Sequence, residues 1–355
     1  MPHPWPQTAD FSQAGQPDRW RLYSLLPTTI SDTYLLPIPV RDGYTFAGWY
    51  TNPEGSGTPV TTLFAGFQGT LYAIWNREPQ ENPENQCGDN LYWEYNGGTL
   101  TITGEGDMYD YTGSNLAPWS EYTEMITAVS LPSGITSISA YAFCHMSNLV
   151  KVSIPNTVTR IGDYAFYLCT SLTDITIPYS VTSIGNYTFS GCSALSSINV
   201  NSKNTTYDSR NRCNAVIETA TNTLVVGCQN SVIPTDVTAI GNGAFAGALF
   251  TTIEIPNSVT VLGGWAFDAC PYLETITIPE FVTSIEVDAF RSCNSLQSVY
   301  VKAQTPPTLI NSVFTSNPIC YIPCGTLAAY QESAWASQVG SFEDECSDST
   351  MITYE

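Results

Sequence analysis

The chain has 355 residues, 43% of them hydrophobic and 12% aromatic, with 11 Lys and Arg against 32 Asp and Glu for a net charge of −21. That aromatic content excludes a disordered chain, and an acidic surface with no basic stripe excludes nucleic acid and anionic lipid as partners. Charged residues are only 12% of the total, below the roughly one quarter usual in globular domains, so Ser, Thr and Asn supply the polarity. The acid sits mainly outside the repeats described below: residues 87–134 hold 7 acidic and no basic side chains, and residues 303–355 hold 6 and none. No D-x-D-x-D-G loop offers calcium a site, and no apolar run approaches the roughly 18 residues of a membrane span. The opening MPHPWPQTADFSQAGQ shows neither a basic nor an apolar leader region, so no signal peptide is read in it.

Residues 1–31 show no period and are left unassigned. Residues 32–76 read as a small β module: Tyr44 and Phe46, then Leu71, Ala73 and Trp75, alternate as strands do, and Gly43, Gly48, Gly55, Gly57, Gly66 and Gly69 mark turns. Arg41, Gly43, Tyr44, Phe46, Gly48, Trp49 and Tyr50, preceded by Pro37 and Pro39 and followed by Leu71, Tyr72, Ala73 and Trp75, resemble the internalin-type B repeat. That is a β-grasp module of bacterial surface proteins. Residues 77–86, REPQENPENQ, have linker composition. Residues 87–134 read as an N-terminal β cap. Leu91–Tyr95 and Thr99–Ile102 pair as a hairpin around Asn96, Gly97 and Gly98, and Gly104-Glu105-Gly106 reads as a second turn.

From residue 135 to 302 the sequence repeats. Phe143, Phe166, Phe189, Phe245, Phe267, Phe290 and Phe314 follow one another at gaps of 23, 23, 56, 22, 23 and 24 residues. In most copies Ala precedes the Phe, a Cys or other small apolar residue follows at the third place, and a Leu follows at the sixth. A period between about 20 and 50 residues marks a solenoid. The expected coil is a Val-Thr-x-Ile-Gly turn, a half-helix carrying Ala-Phe-x-x-Cys, and a strand such as Asp174–Ile177. Each strand ends at Pro155, Pro178, Pro256 or Pro279, because Pro lacks the donor for a further ladder bond. Cys169, Cys192, Cys270 and Cys293 share the third-place slot with Met146 and Ala248, so they read as small buried hydrophobes rather than ligands or nucleophiles.

The 56-residue gap contains an insertion near 201–236. Ala215–Glu218 and Leu224–Gly227 form its hairpin, which sets Cys213 opposite Cys228 if Glu218 faces Thr223. A cross-strand disulfide is one alternative there, and two adjacent buried thiols are the other. Residues 303–355 read as a last repeat and a C-terminal cap, in which Ala328, Ala329, Tyr330 and Trp335 cover the final coil.

The coils, the Cys-Gly-Asp-Asn-Leu opening at 87–91, the Asn-Ala-Val-Ile-Glu hairpin at 214–218 and the Ile-Pro-Cys-Gly ending at 322–325 resemble the BspA-type leucine-rich repeats. The resemblance implies an α/β repeat solenoid, a leucine-rich-repeat horseshoe of mainly short parallel strands with short helices. It also implies display at the cell surface or secretion, and adhesion or protein binding without catalysis.

The residues agree with the last point. Only His3 and His145 are present, His145 occupies a slot filled by Leu168, Gly191, Ala269 and Ser292 in sister coils, and no metal, cofactor or nucleophile motif occurs. The candidate binding surface is the outward side of the strands. Its central positions are Ser130, Ser153, Thr176, Asn199, Glu254, Thr277 and Tyr300, and its flanking ones Lys151, Asp174, Ser197, Thr252, Thr275 and Ser298. Tyr300 is the one aromatic anchor among them. The expected function is an adhesin-like extracellular interaction protein that contacts a host, matrix or neighbouring cell-surface protein through this face and the insertion hairpin. The alternatives are a structural spacer and a glycan-binding accessory region.

Overall fold

The structure, a computed structural model, describes residues 85–348 without a break and, before them, residues 10–13, 20–25, 34–36, 38, 39, 44–52, 55, 57–63 and 68–77. Two compact units are present, Met1–Glu84 and Asn85–Glu355. In the first, four antiparallel strands lie in the order Asp10–Gln13, Trp20–Leu25, Gln68–Arg77, Tyr44–Tyr50. Tyr34–Leu35 pairs separately with Thr62–Leu63. Two of these strands fall within residues 1–31, where no pattern was legible. The text WRLYSL has no clean alternation, and its register comes from its partner far along the chain, with Trp20 opposite Ala73 and Leu25 opposite Gln68. Trp49, Leu63, Leu71 and Ala73 form the small core, with Phe46 and Trp75 packed edge to face at 5.4 Å. Pro37, Arg41, Gly43 and Gly66, and most of the linker at 77–86, lie outside the described residues.

The second unit is a β-solenoid whose coils contribute to two parallel ladders. The long ladder runs Ala128–Ser130, Lys151–Val152, Asp174–Ile177, Ser197–Val200, and resumes with Thr275–Ile278, Ser298–Val301, Ile319–Ile322, Ser341–Asp344. The short ladder uses the segment expected as a turn: Gly134–Ile138, Arg160–Ile161, Ser183–Ile184, then Thr223–Val226, Ala239–Ile240, Val261–Leu262, Ser284–Ile285, Thr308–Leu309. Alternation along Asp174–Ile177 buries Ile175 and Ile177 and exposes Thr176.

The Ala-Phe-x-x-Cys segment is a run of turns rather than a half-helix. Tyr164 and Leu168 hold φ of 55° and 57°, and the same slots are left-handed in the neighbouring coils. A left-handed residue every fourth place stops helical bonding. The backbone donors go to the next coil instead: Phe143 N–H to the Ala165 carbonyl at 2.8 Å, Phe166 to Thr188 at 2.9 Å, Phe267 to Ala289 at 2.8 Å. The turns are thus a third column of inter-coil hydrogen bonds.

The phenylalanines stack inside this framework. Phe166 lies 5.2 Å from Phe189 with rings 2° from parallel, and Phe267–Phe290 and Phe290–Phe314 repeat the contact at 5.1 and 5.3 Å. Aromatic residues close both ends of the stack. Trp119 lies on Phe143 at 6.0 Å and donates its indole N–H to the Ala142 carbonyl at 2.7 Å. Trp335 lies on Phe314 at 5.7 Å and donates to Pro307 at 2.9 Å.

At the N-terminal end a hairpin of Gln86–Asn96 and Thr99–Met108 starts both ladders. Thr99–Thr101 pairs with Ala128–Ser130, and Glu105–Asp107 pairs with Gly134–Ser137. Gly104-Glu105-Gly106 is therefore inside a strand, not a turn. It is an irregularity where Gly104, at φ 100°, lets the Asn90 carbonyl approach so closely that a Cβ would sit 1.8 Å from it.

Both ladders stop at the insertion, and the core divides there. In the insertion hairpin Glu218 does face Thr223, but the register shifts between Val216 and Ile217. Val216, Val226 and Cys228 point into the first half of the core. Cys213, Ala215, Ile217 and Leu224 point into the second half. The hairpin is a partition wall, and only its tip, Ala220 and Thr221, is exposed. This geometry corrects the disulfide alternative at Cys213 and Cys228: both are buried free thiols in different halves of the core. The Cys213 thiol turns to the Ala215 carbonyl, and the Cys228 thiol meets the Asn214 side chain at 3.3 Å. The disulfide present is Cys324–Cys346, which fastens the last strand, Ser341–Asp344, across a separation of 22 residues.

The insertion also seals the ladder ends. Asn214 accepts the Ile198 N–H at 2.6 Å and donates to the Ser196 carbonyl at 2.7 Å, while the Tyr207 hydroxyl accepts the Ile184 N–H at 3.1 Å. Each edge group thus gains the partner that the next strand would otherwise provide. In the C-terminal cap, helix Leu327–Gln331 buries Tyr330 completely, whereas Ala328 and Ala329 face solvent. The Tyr330 hydroxyl donates to the Ala303 carbonyl at 2.8 Å.

Candidate functional site

The outward side of the long ladder is two faces, not one. In the first block Lys151, Asp174 and Ser197 are in register, and Thr176 lies opposite Asn199. Lys151, Ser153, Thr176 and Asn199 are exposed, Asp174 is half-buried, and Lys151 Nζ lies 3.6 Å from an Asp174 oxygen. In the second block Thr277, Tyr300 and Tyr321 form one row that Glu343 completes. Glu254 and Thr252 belong to neither block. The coil from 250 to 256 forms no strand, and Glu254 instead lines a hollow of about 350 Å³ with Val232 and Ile233 from the insertion and with Phe250.

The rows differ in chemistry. The first carries hydroxyls, an amide and one ion pair, and an exposed pair of that kind contributes at most about 1 kcal/mol. The second carries an aromatic pair: Tyr300 and Tyr321 stack at 4.6 Å with rings 13° from parallel, and Lys302 Nζ lies 5.9 Å from the centre of the Tyr300 ring. Tyr321 was missed in the sequence. Its signal was available, because Ile-Cys-Tyr-Ile at 319–322 repeats the alternation of Ser-Val-Tyr-Val at 298–301.

Nothing in these rows is arranged for catalysis. His145 is exposed and packs edge-on to Tyr167 at 5.5 Å. Burial pushes the Cys169 and Cys270 thiols well above their usual range and raises Cys87 and Cys320 to about 12. Cys169, Cys192, Cys270 and Cys293 each donate to the carbonyl of the preceding coil's Phe, at 3.0–3.3 Å. All four are buried space-fillers, not nucleophiles. Cys324, Asp344 and Cys346 converge within 4.8 Å, but the two cysteines are joined in the disulfide and offer no thiolate to a metal.

Two parallel ladders, a stack of buried Phe side chains in the turns and a Leu leading into the long strands define a leucine-rich-repeat β-solenoid. Models of protein families agree. The BspA type leucine rich repeat region matches residues 121–224 and 225–336, and the chain belongs to that family. The Listeria-Bacteroides repeat domain matches residues 28–74. None of the curated proteins compared with the chain matches it. Among solved structures, a leucine-rich repeat protein from Eubacterium ventriosum is 23% identical, with 73% of this chain and 84% of that chain covered and a TM-score of 0.44. A leucine rich cell surface protein from Faecalibacterium prausnitzii is 20% identical, with 74% and 95% covered and a TM-score of 0.48. The pneumococcal vaccine antigen PcpA is 10% identical, with 72% and 97% covered and a TM-score of 0.34. Among the described residues no helix is long and apolar enough to cross a membrane.

Proposed function

We propose that this protein is a non-catalytic, adhesin-like interaction protein, secreted or held at the cell surface, that binds a host, matrix or neighbouring cell-surface protein. The contact is made by the outward side of the long ladder, with the second block as its energetic centre. The observation that carries this reading is the stacked Tyr300–Tyr321 pair, set among small polar residues with Lys302 beside it. Tyr is among the residues that dominate protein interfaces, and a pre-stacked pair loses little conformational freedom on binding. Ser153, Thr176, Asn199 and Thr277 extend the surface with hydroxyls and amides, and Lys151 and Asp174 set its charge pattern. The disulfide at Cys324–Cys346 supports an oxidising compartment. The insertion hairpin contributes only its tip.

Surface plasmon resonance against a panel of matrix and mucosal proteins tests the proposal. Joint Tyr300→Ala and Tyr321→Ala substitution is expected to weaken a positive interaction by about 10-fold or more. Charge reversal at Asp174 is expected to change the association rate. Binding that is unchanged in all these variants, or no binding to any protein on the panel, counts against the proposal; the second result favours a spacer.

A further inference from the structure

A second surface lies on the short-ladder side, where a cleft of about 550 Å³ opens beside Trp265. Its floor includes Ala239 and Val261, which are neighbours in register, and its rim includes Asn186, Asn242 and Glu286. The cleft arises from two successive departures from the repeat. The place two residues before each core Phe holds Tyr141, Tyr164 and Tyr187, then Gly243, then Trp265. The three tyrosine rings stack at 4.8 and 4.9 Å and cover one another's faces. Gly243 ends that row, because a Cβ there would lie 2.3 Å from the Tyr187 ring. Trp265 in the next coil stands 82° from the Tyr187 plane, half-buried, with its indole bordering the cleft.

The polar groups around it hold hydrogen-bonding capacity in reserve. Asn242 accepts the Gly264 N–H at 2.9 Å through Oδ1, which leaves its Nδ2 free to donate. Glu286 accepts the Ser284 hydroxyl at 2.7 Å through Oε1, which leaves Oε2 free to accept. The Asn186 side-chain amide and the Trp265 indole N–H have no partner among the described residues. One carboxylate and no basic side chain line the cleft.

We infer that this cleft binds a neutral saccharide. An indole and a small apolar floor suit the C–H faces of a sugar ring. Hydroxyls, each both donor and acceptor, match an amide N–H, an indole N–H and a carboxylate oxygen at once. The lone carboxylate disfavours sialylated or sulfated sugars. This site is separate from the long-ladder face and does not depend on it.

A glycan array carrying neutral, sialylated and sulfated oligosaccharides, followed by calorimetry on whatever neutral sugar is retained, tests the assignment. The intact protein is expected to retain neutral glycans, with at least about 10-fold weaker binding for Trp265→Ala and for Asn242→Ala and no change for Tyr300→Ala. Asn242 is exposed, so its variant reports on the cleft even if Trp265→Ala fails to fold. Retention of no neutral glycan, retention of anionic glycans alone, or unchanged neutral-sugar binding in either folded cleft variant overturns the inference.

Discussion

Replacing Phe166 with Ala probes the interior of the solenoid where it is most tightly built. The ring is fully buried, 5.4 Å from Phe143 and 5.2 Å from Phe189. Deleting a buried Phe costs about 3–5 kcal/mol in lost transfer energy and residual cavity. Each aromatic contact adds about 0.5–1.5 kcal/mol beyond area, and here two are lost, so the upper part of the range applies. Collapse gives little relief, because the coils above and below are fixed by backbone hydrogen bonds from Phe143 to Ala165 and from Phe166 to Thr188. A loss of about 4 kcal/mol corresponds to a fall of roughly 8–16 °C in melting midpoint for a unit of this size. Thr176 on the outward side is exposed, and Thr176→Ala is expected to change stability by no more than about 0.5 kcal/mol. Scanning calorimetry paired with urea unfolding measures both variants. Equal shifts for Phe166→Ala and Thr176→Ala would refute the assignment of inside and outside.

Other perturbations test other parts of the structure. Asn214→Ala removes the two Asn214 bonds at the end of the long ladder and forces Ala into the left-handed φ of 57°; a destabilisation of about 2–4 kcal/mol is expected in urea unfolding. Replacing Cys324 and Cys346 together with Ser opens the 22-residue loop, with about 3 kcal/mol expected from loop entropy. Hydrogen exchange should then quicken at Ser341–Asp344 and leave the first block unchanged. Alkaline pH should destabilise the fold: burial holds Cys87 and Cys320 protonated to about pH 12, whereas the unfolded thiols ionise near pH 9.0. The folded state binds more protons between these values, so its stability is full below pH 9 and falls as pH rises through that window. A melting midpoint that stays flat from pH 8 to 11 would contradict this.

What was legible in the sequence is what the repeat makes redundant. Seven phenylalanines at one spacing identify a stacked interior, and the interchange of Cys with Met and Ala at the third place identifies an inert slot. The half-helix was misread because Ala-Phe-x-x-Cys has helical composition. What opposes helix there is the left-handed backbone at Tyr164 and Leu168, which carry bulky side chains and so hide the signal that Gly gives at Gly191 and Gly247. The insertion was located, and its Glu218–Thr223 pairing anticipated. Its role as a wall depends on the shift between Val216 and Ile217, which sends Cys213 and Cys228 into different halves of the core. Tyr321 and the Trp265 cleft were obscured for a related reason: each is defined by a neighbour in the adjoining coil rather than by its own surroundings in sequence.

Native thiol counting tests the stacked interior most directly. Nine cysteines are free, and all but Cys144 are buried. Brief treatment of the folded, non-reduced protein with a thiol reagent, followed by mass mapping, is therefore expected to modify Cys144 at most, with all nine reacting after denaturation. Rapid native modification of Cys169, Cys192, Cys270 and Cys293 would place the repeated slot in water and contradict the solenoid account.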